Sequence, residues 1–247
     1  MDKQEKKNLP DDTQQMPAPR AEPKPIPRGG DTYPYGGVDA LGLASAGWVA
    51  DGGGPGFQQN VEPARTVDGL PIPTELAITD TQTSGTQGYR AAKVGLVSGM
   101  TIVFGGSTGK CITKATLNLS QGWATMSVQW HQHKEGSHID TSFSHTFPSV
   151  LGYGVTDIAG SNLLESEIQS ASYDVDSDHL DRQNNVGQHL IGRSHGLTVT
   201  ATITAVTNKT KDNITLGEGW NITSISPDRP SGNFHELTIT AVKFIAA

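Results

Sequence analysis

The chain has 247 residues, of which 34% are hydrophobic and 17% charged, and a formal net charge of −7; that apolar share is low for a wholly globular chain, so part of it should lie outside a core. No run approaches the roughly 18 apolar residues that cross a bilayer, and the N-terminal MDKQEKKNLPDDTQQ lacks the apolar stretch of a secretion signal, which argues against a membrane span and against Sec export. With 25 acidic side chains against 18 basic ones, the surface is not built to neutralise phosphates, and nucleic acid is not expected as the main partner.

Eleven of the fourteen prolines fall at or before Pro73. The run PAPRAEPKPIPR favours extended polyproline II conformers without internal hydrogen bonds. Residues 29–60 then turn Gly-rich but carry Tyr33, Tyr35, Trp48 and Phe57, large apolar groups for which a solvated linker has little use. Residues 1–75 therefore read as a flexible tail or, preferably, as an extended assembly arm whose four aromatic anchors order on a partner or a sister subunit.

From about Leu76 the pattern becomes short β-branched runs punctuated by Gly, Asn and Asp. Strands are predicted at 76–82, 94–97 and 100–104, followed by a hairpin over 112–130 turning at Ser120-Gln121-Gly122. Residues 131–195 read as a long polar insertion, with a weak helical period over 161–172 through Leu164, Ile168 and Ala171. The run 197–206, LTVTATITAV, alternates Leu197, Val199, Ala201, Ile203 and Ala205 with four threonines, as a half-buried strand does. A last hairpin pairs NITSIS with ELTITAVKFI, whose Val242 and Phe244 suggest that both faces become covered near the C-terminus. Several strands without strand–helix alternation define an all-β fold over 76–247, an antiparallel β-sandwich or barrel with long loops.

Motifs for chemistry are few. The G-x-S-x-G runs at 105–109 and 192–196 precede β-patterned segments rather than the helix a nucleophile elbow requires, so they read as turns. GGSTGKC fails as a phosphate loop, because Phe104 and Cys111 stand where Gly and Ser/Thr are needed. Asp174, Asp176, Asp178 and Asp181 open like a calcium loop, but His179 replaces its turn Gly and Asn185 its bidentate Glu. His131 and His133, at i and i+2 of a strand, share a face and can form half of a transition-metal site, completed by His138 or by a symmetry copy. The alternative is that they are ordinary polar residues on a strand's outer face. Cys111, the single cysteine, permits no internal disulfide, as expected of a protein folded in a reducing compartment. No paired carboxylates and no Cys-His arrangement can be placed, so an enzyme is not predicted and no resident cofactor is expected.

The layout as a whole, a Pro/Gly arm before a Thr-rich, cysteine-poor β-domain that ends in GWNITSISPDRPSGNFHELTITAVKFIAA, resembles structural proteins of tailed bacteriophages and prophages, of the tail or head–tail connector type. The likeness covers the layout and about the last thirty residues. It implies a non-enzymatic β-domain that assembles into rings or tubes as a homo-oligomer beside other structural subunits, made in the cytoplasm and incorporated into a virion. Uncharged, proline-free strands such as LTVTATITAV also favour a closed symmetric oligomer, since they are safe only when central or paired. The alternative class is a β-sandwich binding module that presents Trp130, Tyr153, Tyr173 and histidines of the 131–195 segment to a carbohydrate or protein ligand.

Overall fold

Period-2 alternation of apolar residues with threonine, serine and aspartate forces one face of each strand inward and leaves the other to water. A computed structural model of the chain describes residues 39–45, 47–65, 71–107, 110–133, 142–183, 189–231 and 234–246. Among these described residues there are twelve strands: β1 (Trp48–Arg65), β2 (Pro71–Ala91), β3 (Leu96–Val97), β4 (Thr101–Ser107), β5 (Lys110–Leu119), β6 (Thr125–His133), β7 (Phe143–Thr146), β8 (Val150–Leu151), β9 (Ile168–Gln183), β10 (His189–Thr207), β11 (Asn221–Ser231) and β12 (Phe234–Ala246). The fold is all-β, with no α-helix among the described residues.

The main sheet runs β1-β2-β6-β5-β9-β10-β12-β11, and every pairing in it is antiparallel. Its inner face is a continuous apolar field that includes Trp48, Tyr89, Leu117, Met126, Val175, Val199, Ile203 and Ile239, all buried. Against this field packs a second layer built from β3 paired with β8, the first half of β4 paired with β7, and their connections, which contribute Val97, Ile102, Phe104, Phe147, Val150 and Ile158 to the same core. β4 belongs to both layers. Thr101–Phe104 pair with β7, and from Gly105, at φ 86°, the strand turns into the main sheet to pair with β5. Only glycine holds that left-handed backbone without a Cβ penalty, so the first G-x-S-x-G run is explained by a corner and a hairpin.

The outer face is polar and in register. Thr202 and Thr204 lie opposite Thr240 and Thr238 on one side and Ser172 and Ser170 on the other. The aspartates of the calcium-like run belong to β9, where Asp174 and Asp176 project outward between buried Tyr173 and Val175. Lys114 of β5 meets both carboxylates, at 3.9 and 3.3 Å, and the Thr116 hydroxyl donates to Asp174 at 2.6 Å.

Several expectations are met. The hairpins β5–β6 and β11–β12 form as read, and β10 buries Leu197, Val199, Ala201, Ile203 and Ala205. Others are corrected. The segment 161–172 holds a single 3₁₀ turn, Glu165–Glu167, before β9 begins, because Ile168 onward follows the sheet's period. Residues 131–195 are not an insertion of loops, since they supply β7, β8, the whole of β9 and the start of β10. The sheet begins at Trp48 rather than near Leu76, so β1 and the first residues of β2 occupy part of the segment read as an arm. Phe244 is 72% exposed on the outer face opposite Thr198, so that face stays open at the C-terminus.

Candidate interaction surfaces

Three features beyond the regular sheet bear on interaction: the root of the N-terminal segment, a pair of two-stranded extensions, and an aromatic group at the layer boundary. The root is held by Asp39. One of its oxygens accepts the backbone N–H of Leu41 and Gly42 and the Tyr89 hydroxyl (3.2, 2.8 and 2.7 Å), and the other accepts the N–H of Ala44 at 2.8 Å. Burial opposes ionisation of this carboxylate, but these donors outweigh it and hold its pKa below the usual aspartate value. Burial, with the hydrogen bond to Asp39, raises Tyr89 well above its usual range, so the phenol keeps its proton and stays a donor. Ala40 is tied on both sides: its N–H donates to Gln87 at 3.1 Å and its carbonyl accepts from Lys110 Nζ at 2.6 Å. Trp48 closes the root, 1% exposed, with its indole N–H donated to the Ser98 carbonyl at 2.9 Å.

The root yields a pH prediction. Because Asp39 has a lowered folded pKa, its contribution to stability is present above the unfolded value of about 3.9 and disappears as pH falls through the folded one. Asp39→Ala should cost about 2 kcal/mol, the scale of hydrogen bonds to a charged group. It should also flatten the acid limb of a denaturation series between about pH 5 and 2. Urea midpoints of both proteins across that range check it, and an unchanged acid limb in the variant would exclude the role.

The extensions follow from register. β2 pairs with β6 only from Gln82 onward, so Pro71–Thr81 pair with β1 alone. β9 pairs with β5 only over Ala171–Asp176, and β10 with β12 only from Gly196, so residues 178–183 and 189–195 pair only with each other among the described strands. The antiparallel registers place the β6 C-terminus, the β5 N-terminus and both extensions at one end of the sheet. At ~3.3 Å per residue the first runs roughly 35 Å past its last pairing with β6, and the second roughly 20 Å past its last pairing with β5.

At the layer boundary, Tyr173 stacks on His145 (5.8 Å, 17°) and meets Phe147 and the Trp220 edge at 5.4 and 5.9 Å. The Tyr173 hydroxyl and His145 Nε2 lie 3.1 Å apart. Burial first, then the charge of Lys243, lowers the His145 pKa, and burial pushes Tyr173 up to about 12.

The residues singled out from sequence fall as follows. Trp48 is a core residue of its own domain rather than an anchor offered to a partner. Phe57 lies in β1 with its backbone opposite Thr83; its side chain, like Tyr33 and Tyr35, lies outside the described residues. His131 is half-buried on β6, between Ser84 of β2 and Cys111 of β5. His133 sits opposite Gln82 with its side chain outside the described residues, as is His138. Among the described residues no three potential ligands gather. The proximity of Cys111 to His131 was invisible in sequence, because nineteen intervening residues separate the two strand positions. Of the aromatics proposed for ligand binding, Trp130 and Tyr173 are buried at 5% and 7% exposure, and Tyr153 meets Trp123 edge-on at 5.8 Å. Among the described residues no helix is long and apolar enough to cross a membrane. Neither a protein-family model nor a curated protein matches the chain.

Proposed function

We propose that the protein is a non-enzymatic structural subunit of a larger assembly, of the kind found in phage tails and connectors, and that it makes its subunit contacts through strand edges and its N-terminal segment. The observation that carries this reading is the pair of two-stranded extensions at one end of the sheet. A hairpin without a third strand is at best marginally stable in water, and strand edges are a standard site of addition by another chain. The fixed root at Asp39 supports the same reading, since it gives residues 1–38 a defined point of departure from the domain.

The test is the light-scattering mass of the full chain over a concentration series, beside a version that begins at residue 39. A discrete oligomer of the full chain is the expected result, with a smaller or weaker one after truncation. A monomer at every concentration would overturn the proposal.

A further inference from the structure

Phe244 is the most exposed large apolar side chain among the described residues, at 72%, and it stands on the outer, otherwise polar face of the sheet. It borders an open groove of about 410 Å³ across β9, β10 and β12, lined also by Asp176, Asp178, His195 and Thr198. A space near the low end of the range for small-ligand sites admits a few side chains rather than a globular surface. Thr198 lies opposite Phe244 on one side and Asp176 on the other, so ring and carboxylate are two strand spacings apart, about 10 Å. Asp176 shares Lys114 with Asp174, whereas Asp178 has no salt bridge among the described residues. An exposed aromatic ring beside an unneutralised carboxylate suits a partner that is both apolar and cationic.

The chain itself holds such a segment. Residues 17–28, PAPRAEPKPIPR, combine five prolines with Arg20, Lys24 and Arg28 against the single Glu22. The polyproline II conformation that this composition favours rises about 3.1 Å per residue, so three residues cover about 9 Å, close to the separation of ring and carboxylate. Pro25 and Arg28 have that spacing, as do Pro17 and Arg20. The root of the segment bears on which copy it reaches. Asp39 and Ala40 are bonded to Tyr89 and Gln87, buried side chains on the inner face opposite Met126 and Val128. The groove is on the outer face. Within one copy, residues 29–38 would have to wrap from the inner to the outer side, whereas a neighbouring copy offers the groove without that reversal. Extended, these ten residues span up to ~35 Å, enough to reach an adjoining subunit.

Building on the assembly reading, we infer that residues 17–28 of one copy dock in the groove between Phe244 and Asp178 of a second copy, prolines on the ring and basic side chains at the carboxylates. A segment that is already extended loses little conformational freedom on docking. The carboxylates select a cationic segment and set its register.

The experiment uses full-length chains. Phe244 and Asp178 are exposed, and thermal unfolding verifies that each variant folds. Phe244→Ala and Asp178→Arg should each weaken assembly at least tenfold in light scattering, the latter more at low salt. Reversing the segment, Arg20→Glu with Lys24→Glu and Arg28→Glu, should weaken it as much. An equal mixture of the Asp178→Arg chain and the reversed-segment chain should assemble better than either alone, since each segment then meets a groove of opposite charge on the other chain. An oligomer that survives these variants would overturn the contact while leaving the assembly reading in place. So would a mixture no better than its components, the result that docking within one copy predicts. An intact chain that is itself monomeric would overturn both.

Discussion

Replacing Trp48 by alanine should lower the stability of the domain by about 3–5 kcal/mol, the scale for removing a buried large aromatic. The indole is 1% exposed and sits opposite Ala91 at the start of the β1–β2 pairing. Its loss removes apolar contact and also strips the Ser98 carbonyl of the donor it now has at 2.9 Å. Ser98 follows β3, so one side chain ties the edge of the main sheet to the second layer. Urea denaturation is the direct measurement. A loss under 1 kcal/mol, with assembly abolished instead, would show that Trp48 acts between subunits, the role its place in a Gly-rich segment first suggests.

The second large effect is expected at Gly99. A Cβ built there would overlap the backbone carbonyl of Phe147, and neither group can yield as a flexible side-chain tip would. The contact is fixed from both sides, because the Phe147 N–H donates to the Met100 carbonyl at 3.0 Å and the Phe147 ring is buried. Overpacking ordinarily costs roughly 1–3 kcal/mol, and a clash between two backbone segments belongs at or above the top of that range. Gly99→Ala should therefore separate β4 from the residues after β7 and expose Phe147 and Tyr173, which pack ring against ring at 5.4 Å. Near-ultraviolet circular dichroism with thermal unfolding reads this directly. As a control, alanine at Gly95, where a Cβ meets nothing within 4 Å, should be nearly silent. Equal stability of the two variants would refute the close-approach argument.

Legibility in the sequence tracked how local the physical cause was. β10 and the hairpins β5–β6 and β11–β12 announce themselves, because period-2 burial and a nearby turn are both local signals. β9 does not. Its Asp174 and Asp176 look like a solvated acidic loop until Lys114 and Thr116 are seen on the neighbouring strand, about sixty residues earlier in the chain. With Lys114 and Thr116 beside them there, Ala171, Tyr173 and Val175 read as a buried stripe. At Trp48 a signal was present: Trp48 and Ala50 are buried while Val49 is half-exposed, a strand's alternation hidden by the glycines that follow. The interaction surfaces were least visible, because an unpaired edge is defined by where a neighbouring strand stops.

The pairing of β5 with β9 also has a consequence for how the protein is made. A ribosome that has delivered β5 and β6 must add roughly forty further residues before Asp176 is available to cover the β5 edge. At about 5–20 residues per second the nascent chain spends several seconds with that edge bare, along with buried-to-be Leu117 and Leu119. A chaperone that shields hydrophobic segments would have its main task in that interval, and slow codons placed between β6 and β9 would lengthen it.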